Sequence, residues 1–326
     1  MRKKNYPELS VIIPVYNTAK YLPEALDSIL IQDYRDLEII AVNDGSKDGS
    51  HQILNKYERN NDNLRVFHRE NSGLSATRNF GLIHANGDYI YFFDSDDRLI
   101  PGALTHLLDL IRDTDSDLIG FSGRNIDEAG YRQFDRKAFQ KLEFTEPVQG
   151  EHMLVKMLQS GSYSPVVSMY LYKHSFLKDH EFKFSEGYIH EDEFFTIRAL
   201  TLAKKAVSLS ETLFEHRNRD GSIMSNTNYI ENAEGWALAV TQILEFIETN
   251  SVQTTTKTAI LKRARQLAHN TVKIIHNLEN HNLEISDFYT EHELNQLGPR
   301  VRLRNLAPVM FKIYNKIRHI IYTKQL

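Results

Sequence analysis

The chain has 326 residues, 41% of them hydrophobic, and a formal net charge of -4. That length buries a large core in one elaborated domain or two, and the mild acidity gives no global attraction to nucleic acid or to anionic membrane. Cysteine is absent, which excludes disulfides, thiolate catalysis and Cys-ligated zinc and leaves the redox compartment open.

Residues 1–7 are basic but run into a polar-flanked strand of about seven residues, too short for the apolar core of a secretory signal. No stretch reaches the roughly 18 apolar residues of a membrane span, so the expected location is the cytoplasm. Residues 9–15 (Leu-Ser-Val-Ile-Ile-Pro-Val) read as the first strand, with Pro14 placing its end or a sheet edge nearby. Leu22, Ala25, Leu26, Ile29 and Leu30 then recur at helical spacing behind Pro23. Residues 37–42 form a second strand that empties into Asn43-Asp-Gly-Ser-Lys-Asp-Gly-Ser50, a run of turn formers, and a helix begins by Ile53. Residues 64–67 are a third strand. Asn71-Ser-Gly-Leu-Ser-Ala-Thr-Arg-Asn79 follows, a Gly turn opening a helix that Asn86-Gly87 stops.

The next strand, Asp88-Tyr-Ile-Tyr-Phe-Phe, delivers Asp94, Asp96 and Asp97 together at its carboxyl end, where open α/β sheets keep their ligands. Three like charges this close are tolerable if a set of donors neutralises them or with a hard divalent cation, Mg²⁺ or Mn²⁺, completed by diphosphate oxygens and water. The alternative is a solvated acidic turn capping the helix that opens near Pro101 and Gly102. Leu104, Leu107, Leu108 and Ile111 mark that helix, and residues 118–121 another strand. Strands alternating with helices predict a mostly parallel sheet wrapped on both faces.

From about residue 125 to 150 the alternation fades into an irregular, charged segment. A helix over 153–158, a strand over 166–172, a short helix over 173–181, a helix within 188–202 and a last strand over 206–215 follow. From Tyr229 the signals are only helical. The expected organisation is a catalytic domain over 1–227, with a nucleotide half to 125 and an acceptor half from 126, then a helical region over 228–326.

Four segments carry a resemblance to glycosyltransferase family 2, the nucleotide-sugar enzymes of the GT-A fold: Ser10-Val-Ile-Ile-Pro-Val-Tyr-Asn17, Asn43-Asp-Gly-Ser-Lys-Asp48, Asn71-Ser-Gly-Leu-Ser-Ala-Thr-Arg-Asn79 and Asp94-Ser-Asp-Asp97, in that order. The resemblance is clear over roughly 8–125 and thinner to about 226. It implies a Rossmann-like α/β fold in which Pro14, Val15 and Tyr16 line the base and Asp44 accepts the uracil N3–H, a carboxylate being an acceptor for an imide donor. An Asx turn is the plain alternative for Asp44, and Asn43 stands where the family more often has a second acid. Arg78 would take the sugar or diphosphate, although a surface salt bridge is the commoner fate of one arginine. Asp94, with Ser95 beside it, would contact the ribose, and Asp96 would hold Mn²⁺ or Mg²⁺ as in an Asp-X-Asp element.

His190-Glu-Asp-Glu193 resembles the family's Glu-Asp element, which makes Asp192, with Glu191 next, the base for the acceptor hydroxyl; acids complementing a helix dipole are the alternative. The segment from His216 to Met224 resembles an Arg-x-x-x-Gly-Ser element, which would give Arg217 and Arg219 to the diphosphate and leaves His216 as a metal ligand or a packed histidine.

Val309, Met310, Ile313, Ile317, Ile320 and Ile321 fall on one helical face and Lys312, Lys316 and His319 on the other, and no acid follows Glu293. This reads as an interfacial helix for anionic lipid, placing the protein on the inner face of the membrane, or as a helix packed on the protein or a second copy. The single tryptophan, Trp236 in Glu-Gly-Trp-Ala, is not the Gln-x-x-Arg-Trp element of processive synthases, so one sugar per acceptor glycan or lipid-linked acceptor is expected. Two competing classes are a sugar nucleotidyltransferase, whose Gly-rich phosphate loop is not seen after the first strand, and a catalytically inactive sugar-binding or scaffold relative.

Overall fold

A computed structural model of the chain describes residues 6–32, 34–133, 139–219, 229–277, 284–298 and 301. Backbone packing divides the chain into two compact units, Met1–Gly187 with Glu191–Asn226, and Tyr188–His190 with Thr227–Leu326.

The first unit holds strands β1 (Leu9–Val15), β2 (Leu37–Asp44), β3 (Leu64–Arg69), β4 (Tyr89–Phe92), β5 (Arg98–Leu99), β6 (Leu118–Ile126), β7 (Phe144–Val148), β8 (Tyr170–Lys173) and β9 (Ala206–Arg217). Its helices are α1 (Leu22–Leu30), α2 (Ser50–Asn60), α3 (Leu74–His84), α4 (Ala103–Thr114), α5 (Gly150–Ser160), α6 (His174–Asp179) and α7 (Glu191–Leu202). The sheet runs β3-β2-β1-β4-β8-β6-β9-β5, with β7 also on β9.

Every residue of β1 and β2 is buried, as strands covered on both faces require. Glu38, one of two charged residues among them with Asp44, is satisfied by Ser10 Oγ (2.7 Å), the Asn86 N–H (2.7 Å) and Arg65 (3.0 Å). β1 is central and not at an edge, and Pro14 is tolerated because the register with β4 ends at Ile12 and Phe92.

β1 through β4 pair in parallel. β8 is antiparallel to β4 and to β6, and two reversals restore direction, so β6 and its parallel partner β9 end at the same edge as β1, β2 and β4. The register between β6 and β9 slips on either side of Ser122, which bends the last turnings of β9 before His216 and Arg217.

The N-terminal half follows the expected alternation, except that β6 runs five residues past the expected 118–121 and β5 was not expected. The irregular stretch differs: it contains β7, a half-exposed strand on β9, and the expected strand over 166–172 is a 3₁₀ turn (Val167–Met169) followed by β8. No apolar run marks either change.

The second unit contains α8 (Tyr229–Thr249), α9 (Thr254–Asn277) and α10 (Glu291–Leu297). Val240, Ile243, Leu244 and Ile247 of α8 and Ile260, Ala264, Leu267 and Ala268 of α9 are buried. Thr290 caps α10 in a reciprocal box with Glu293. Trp236 stacks on His190 (4.8 Å), whose Nε2 meets Asn232 Oδ1 at 2.8 Å. The basic amphipathic segment expected near the C-terminus lies outside the described residues, and among those described no helix is long and apolar enough to cross a membrane.

Gly150, the first residue of α5, seats that helix against α7: a Cβ there would lie 2.2 Å from the Leu200 carbonyl oxygen and 2.9 Å from Ala203 Cβ. Gly150→Ala is therefore expected to lower stability by about 1–3 kcal/mol through overpacking against backbone. Urea denaturation measures it, and an unchanged midpoint would refute the contact.

Candidate active site

The chain leaves the core after Phe93, whose N–H donates to the Ile12 carbonyl (2.9 Å), and the Asp97 N–H closes a turn on the Asp94 carbonyl (3.2 Å). Ser95 Oγ accepts from Thr18 Oγ1 (3.0 Å), tying that turn to the segment after β1. Asp97 is buried and accepts the Arg217 N–H at 2.8 Å, with His216 Nδ1 3.3 Å away. It caps no helix, contrary to the alternative above: the N-cap of α4 is Gly102, at φ 84°. Burial pushes the Asp97 carboxyl up against the pull of His216. Burial opposes charge on His216 as well, and the Asp97 carboxylate outweighs it and raises the imidazole above its ordinary value.

The Arg217 guanidinium is engaged within the protein. Its Nε donates to the Asp96 carbonyl (2.8 Å), its Nη1 to the Glu128 carbonyl (2.9 Å) and its Nη2 pairs with Glu24 (2.5 Å), so the buried guanidinium clamps the acidic turn to the loop after β6. A motif records that a guanidinium is present, not which carbonyls surround it. Arg219, two residues on, is placed differently: its Nε pairs with Asp96 Oδ2 at 2.5 Å, and its guanidinium lies 5.4 Å from the centre of the Tyr21 ring.

Asp44, at the end of β2, is buried and accepts from the Ser72 N–H (2.8 Å), Ser72 Oγ (3.0 Å) and the Gly73 N–H (2.9 Å). It thereby fastens the turn in which Gly73, at φ 89°, starts α3. One turn along that helix, buried Arg78 donates Nη2 to Asp94 (2.7 Å) and Nη1 to Glu191 (2.5 Å). Burial works against its charge, and Asp94 and Glu191 nonetheless hold it above the ordinary guanidinium value. Arg78 Nε and Ser75 Oγ are buried and meet no hydrogen-bond partner among the described residues.

Glu191, Asp192 and Glu193 form the first turn of α7. Asp192 is half-buried, and its carboxyl is pushed up to about 8 by burial and then by the like charges of Glu191 and Glu193, against the opposing pull of Arg78. Glu191 has its Oε1 engaged by Arg78.

At the end of β1, Pro14 and Val15 are buried and Tyr16 is exposed. Asn17 holds a left-handed backbone (φ 51°), pinned by its N–H to Ser46 Oγ (3.0 Å) and by its Oδ1 accepting the Lys47 N–H (2.8 Å).

Asp96 carries a positively charged group, the Arg219 guanidinium, and His216 turns its Nδ1 to Asp97. Among the described residues no cluster of three or more His, Asp or Glu side chains forms a cage, so an ion held through Asp96 would draw most of its ligands from substrate oxygens and water.

Asp94, Glu191 and Arg78 thus meet directly, with Asp192 close enough to feel all three, and Asp96, Asp97, His216 and Arg219 form the adjoining cluster. Asp44 joins them through the turn it fastens. Glu24, Glu128 and Ser168, which bonds Asp94 at 3.4 Å, were not foreseen: they lie outside any motif, and only the fold brings them in.

Residues 10–180 match the family model described as glycosyl transferase family 2. The chain is 33% identical over 222 residues, 66% of its length and 72% of the relative's, to "Glycosyltransferase GlyG" of Streptococcus pneumoniae serotype 4. It is 31% identical to "Uncharacterized glycosyltransferase EpsJ" of Bacillus subtilis, over 67% of this chain and 63% of that one. Among solved structures, TarS 1-349 of S. aureus in complex with UDP-GlcNAc superposes with a TM-score of 0.66 at 23% identity, covering 89% of this chain and 78% of that one. The mannosyltransferase PcManGT of Pyrobaculum calidifontis, in complex with GDP-Man and Mn²⁺, gives 0.56 at 14% identity over 96% and 84%. These two likenesses carry the fold alone, and the sequence matches carry the family: the chain belongs to glycosyltransferase family 2 and is a glycosyltransferase of the GT-A fold.

Proposed function

We propose that the protein is an inverting, metal-dependent glycosyltransferase that moves one sugar from a nucleotide sugar, a UDP-sugar, to a hydroxyl of a cell-surface glycan or lipid-linked acceptor. The observation that carries this is the convergence on one buried arginine, Arg78, of Asp94 from the end of β4 and Glu191 from the start of α7, with Asp192 beside them. A donor-binding acid and a base are thereby held on one sheet edge. The UDP preference is supported by the fold's likeness to a protein solved with UDP-GlcNAc.

In this reading Pro14, Val15, Tyr16 and Asp44 hold the base, and Asp94 with Ser95 the ribose. Arg78 and Arg219 answer the diphosphate, and Asp96 with His216 would hold Mn²⁺ or Mg²⁺. A bound cation would supply Lewis-acid stabilisation to the departing nucleoside diphosphate. Asp192 takes the proton of the acceptor hydroxyl while that oxygen bonds to C1 of the sugar from the face opposite the breaking bond to the diphosphate oxygen. Asp192 suits the task better than Glu191, which is paired to Arg78. Residues 1–125 serve the donor, 126–227 the acceptor, and 228–326 dock a membrane or a partner.

Asp192→Asn is expected to reduce kcat by about 10²–10⁴-fold while leaving UDP affinity in Mn²⁺ within about twofold. Equal turnover in both proteins would remove Asp192 as the base, and no turnover in wild type would favour an inactive relative.

The raised carboxyl gives a pH test. Below a value of about 8, Asp192 is protonated and cannot accept, so kcat/KM should climb about tenfold per pH unit from 6 toward 8 and then level. The profile should flatten in Asp192→Asn, and a wild-type rate independent of pH over that window would count against the assignment. Asp96→Asn should weaken Mn²⁺-dependent donor binding by about 100-fold, measured by calorimetry.

A further inference from the structure

We propose that Arg219 is a resident cation on Asp96 that makes metal binding conditional on a diphosphate. The guanidinium leaves Asp96 only when diphosphate oxygens arrive to receive it, and the divalent ion then takes its place. This rests on the donor-and-metal reading above and names the residue that couples the two ligands.

The Arg219 Nε to Asp96 Oδ2 contact is 2.5 Å, and the side chains are 14% and 18% exposed, so solvent screens the pair only partly. A divalent ion entering alone would set a second positive group against the Asp96 carboxylate and take from a largely buried guanidinium its closest anion, a costly outcome. It would also find few protein ligands, since no triple of His, Asp or Glu gathers among the described residues, whereas Mg²⁺-type ions complete their shells from substrate phosphate oxygens and water.

A diphosphate removes both obstacles. It adds oxygens to the ion's shell and offers the planar guanidinium a fork-matched anion.

Arg217 cannot play this part, because its donors are fixed on the Asp96, Glu128 and Glu24 oxygens. Both guanidinium groups lie against the Tyr21 ring, at 5.3 Å for Arg217 and 5.4 Å for Arg219, and Tyr21 is itself held by its hydroxyl on Glu128 (2.7 Å). Arg219 therefore rests on a fixed aromatic face beside a locked neighbour, and among the described residues its carboxylate contact is Asp96.

The test is Mn²⁺ titration of the full chain by water-proton relaxation, with and without UDP, in wild type, Arg219→Gln, Arg219→Met and Asp96→Asn. Wild type should bind free Mn²⁺ weakly and at least about tenfold more tightly with UDP present. Arg219→Gln should bind free Mn²⁺ about tenfold more tightly than wild type, with UDP adding less than about threefold. Arg219→Met, which keeps an apolar stem against Tyr21, should behave alike and serves if the Gln variant does not fold. Free-Mn²⁺ affinity equal to wild type in the folded Arg219 variants, with binding lost in Asp96→Asn, would overturn the role of Arg219 and leave the metal site standing. Mn²⁺ binding unaffected by Asp96→Asn, or undetectable in wild type with UDP, would overturn the metal reading and this proposal with it.

Discussion

Three carboxylates within four residues cannot share a sheet edge unless each has its own answer to the repulsion, and the structure supplies three different ones. Asp94 meets the Arg78 guanidinium, Asp96 the Arg219 guanidinium, and Asp97 the His216 ring together with the Arg217 N–H. The partners come from α3 and from the end of β9, so the acidic turn is the point at which remote parts of the first unit become one site. Asp97 is the most buried of the three, and its bond to the Arg217 N–H ties the turn to β9.

The end of β9 does this work by alternation. Glu215 and Arg217 project to one side, where Arg98 and Arg124 meet the glutamate and Glu24 meets the arginine, while His216 projects to the other toward Asp97. The register slip between β6 and β9 sets which residues reach the edge. A buried charge network of this kind contributes little net stability compared with apolar packing, since desolvation offsets much of its attraction. Its consequence is placement: the Arg217 guanidinium holds the Asp96 carbonyl from behind and leaves the Asp96 side chain facing Arg219.

Much of the fold was legible because its signals are local and periodic. Leu22, Ala25, Leu26 and Ile29 are spaced for one helical face and are buried on it, and the apolar runs of β1 and β2 announce strands covered on both sides. β7 was not legible: Phe144-Thr-Glu-Pro-Val148 is half-exposed on β9, and a Pro and an acid hide the alternation. The acids and arginines of the candidate site were legible as residue types at motif spacing. Their partners were not, because a guanidinium in a sequence does not say whether carboxylates or carbonyls surround it. Arg217 and Arg219, two positions apart and alike on paper, are separated only by what the loop after β6 and the acidic turn place around them.

Arg78 carries the last link. The same buried guanidinium neutralises Asp94, proposed to face the ribose, and Glu191, the neighbour of the proposed base. Its charge lowers the Asp192 carboxyl against the larger effects of burial and the flanking glutamates. Whatever draws Arg78 toward or away from Asp94 therefore changes the field at Asp192 as well. An acid lifted by desolvation and held in check by one cation is responsive in a way that a solvated carboxylate is not, because in a medium of low dielectric a small displacement of that cation changes its interaction energy appreciably. Asp94 at the end of β4 and the proton affinity of Asp192 at the start of α7 are thus coupled through a single side chain of α3.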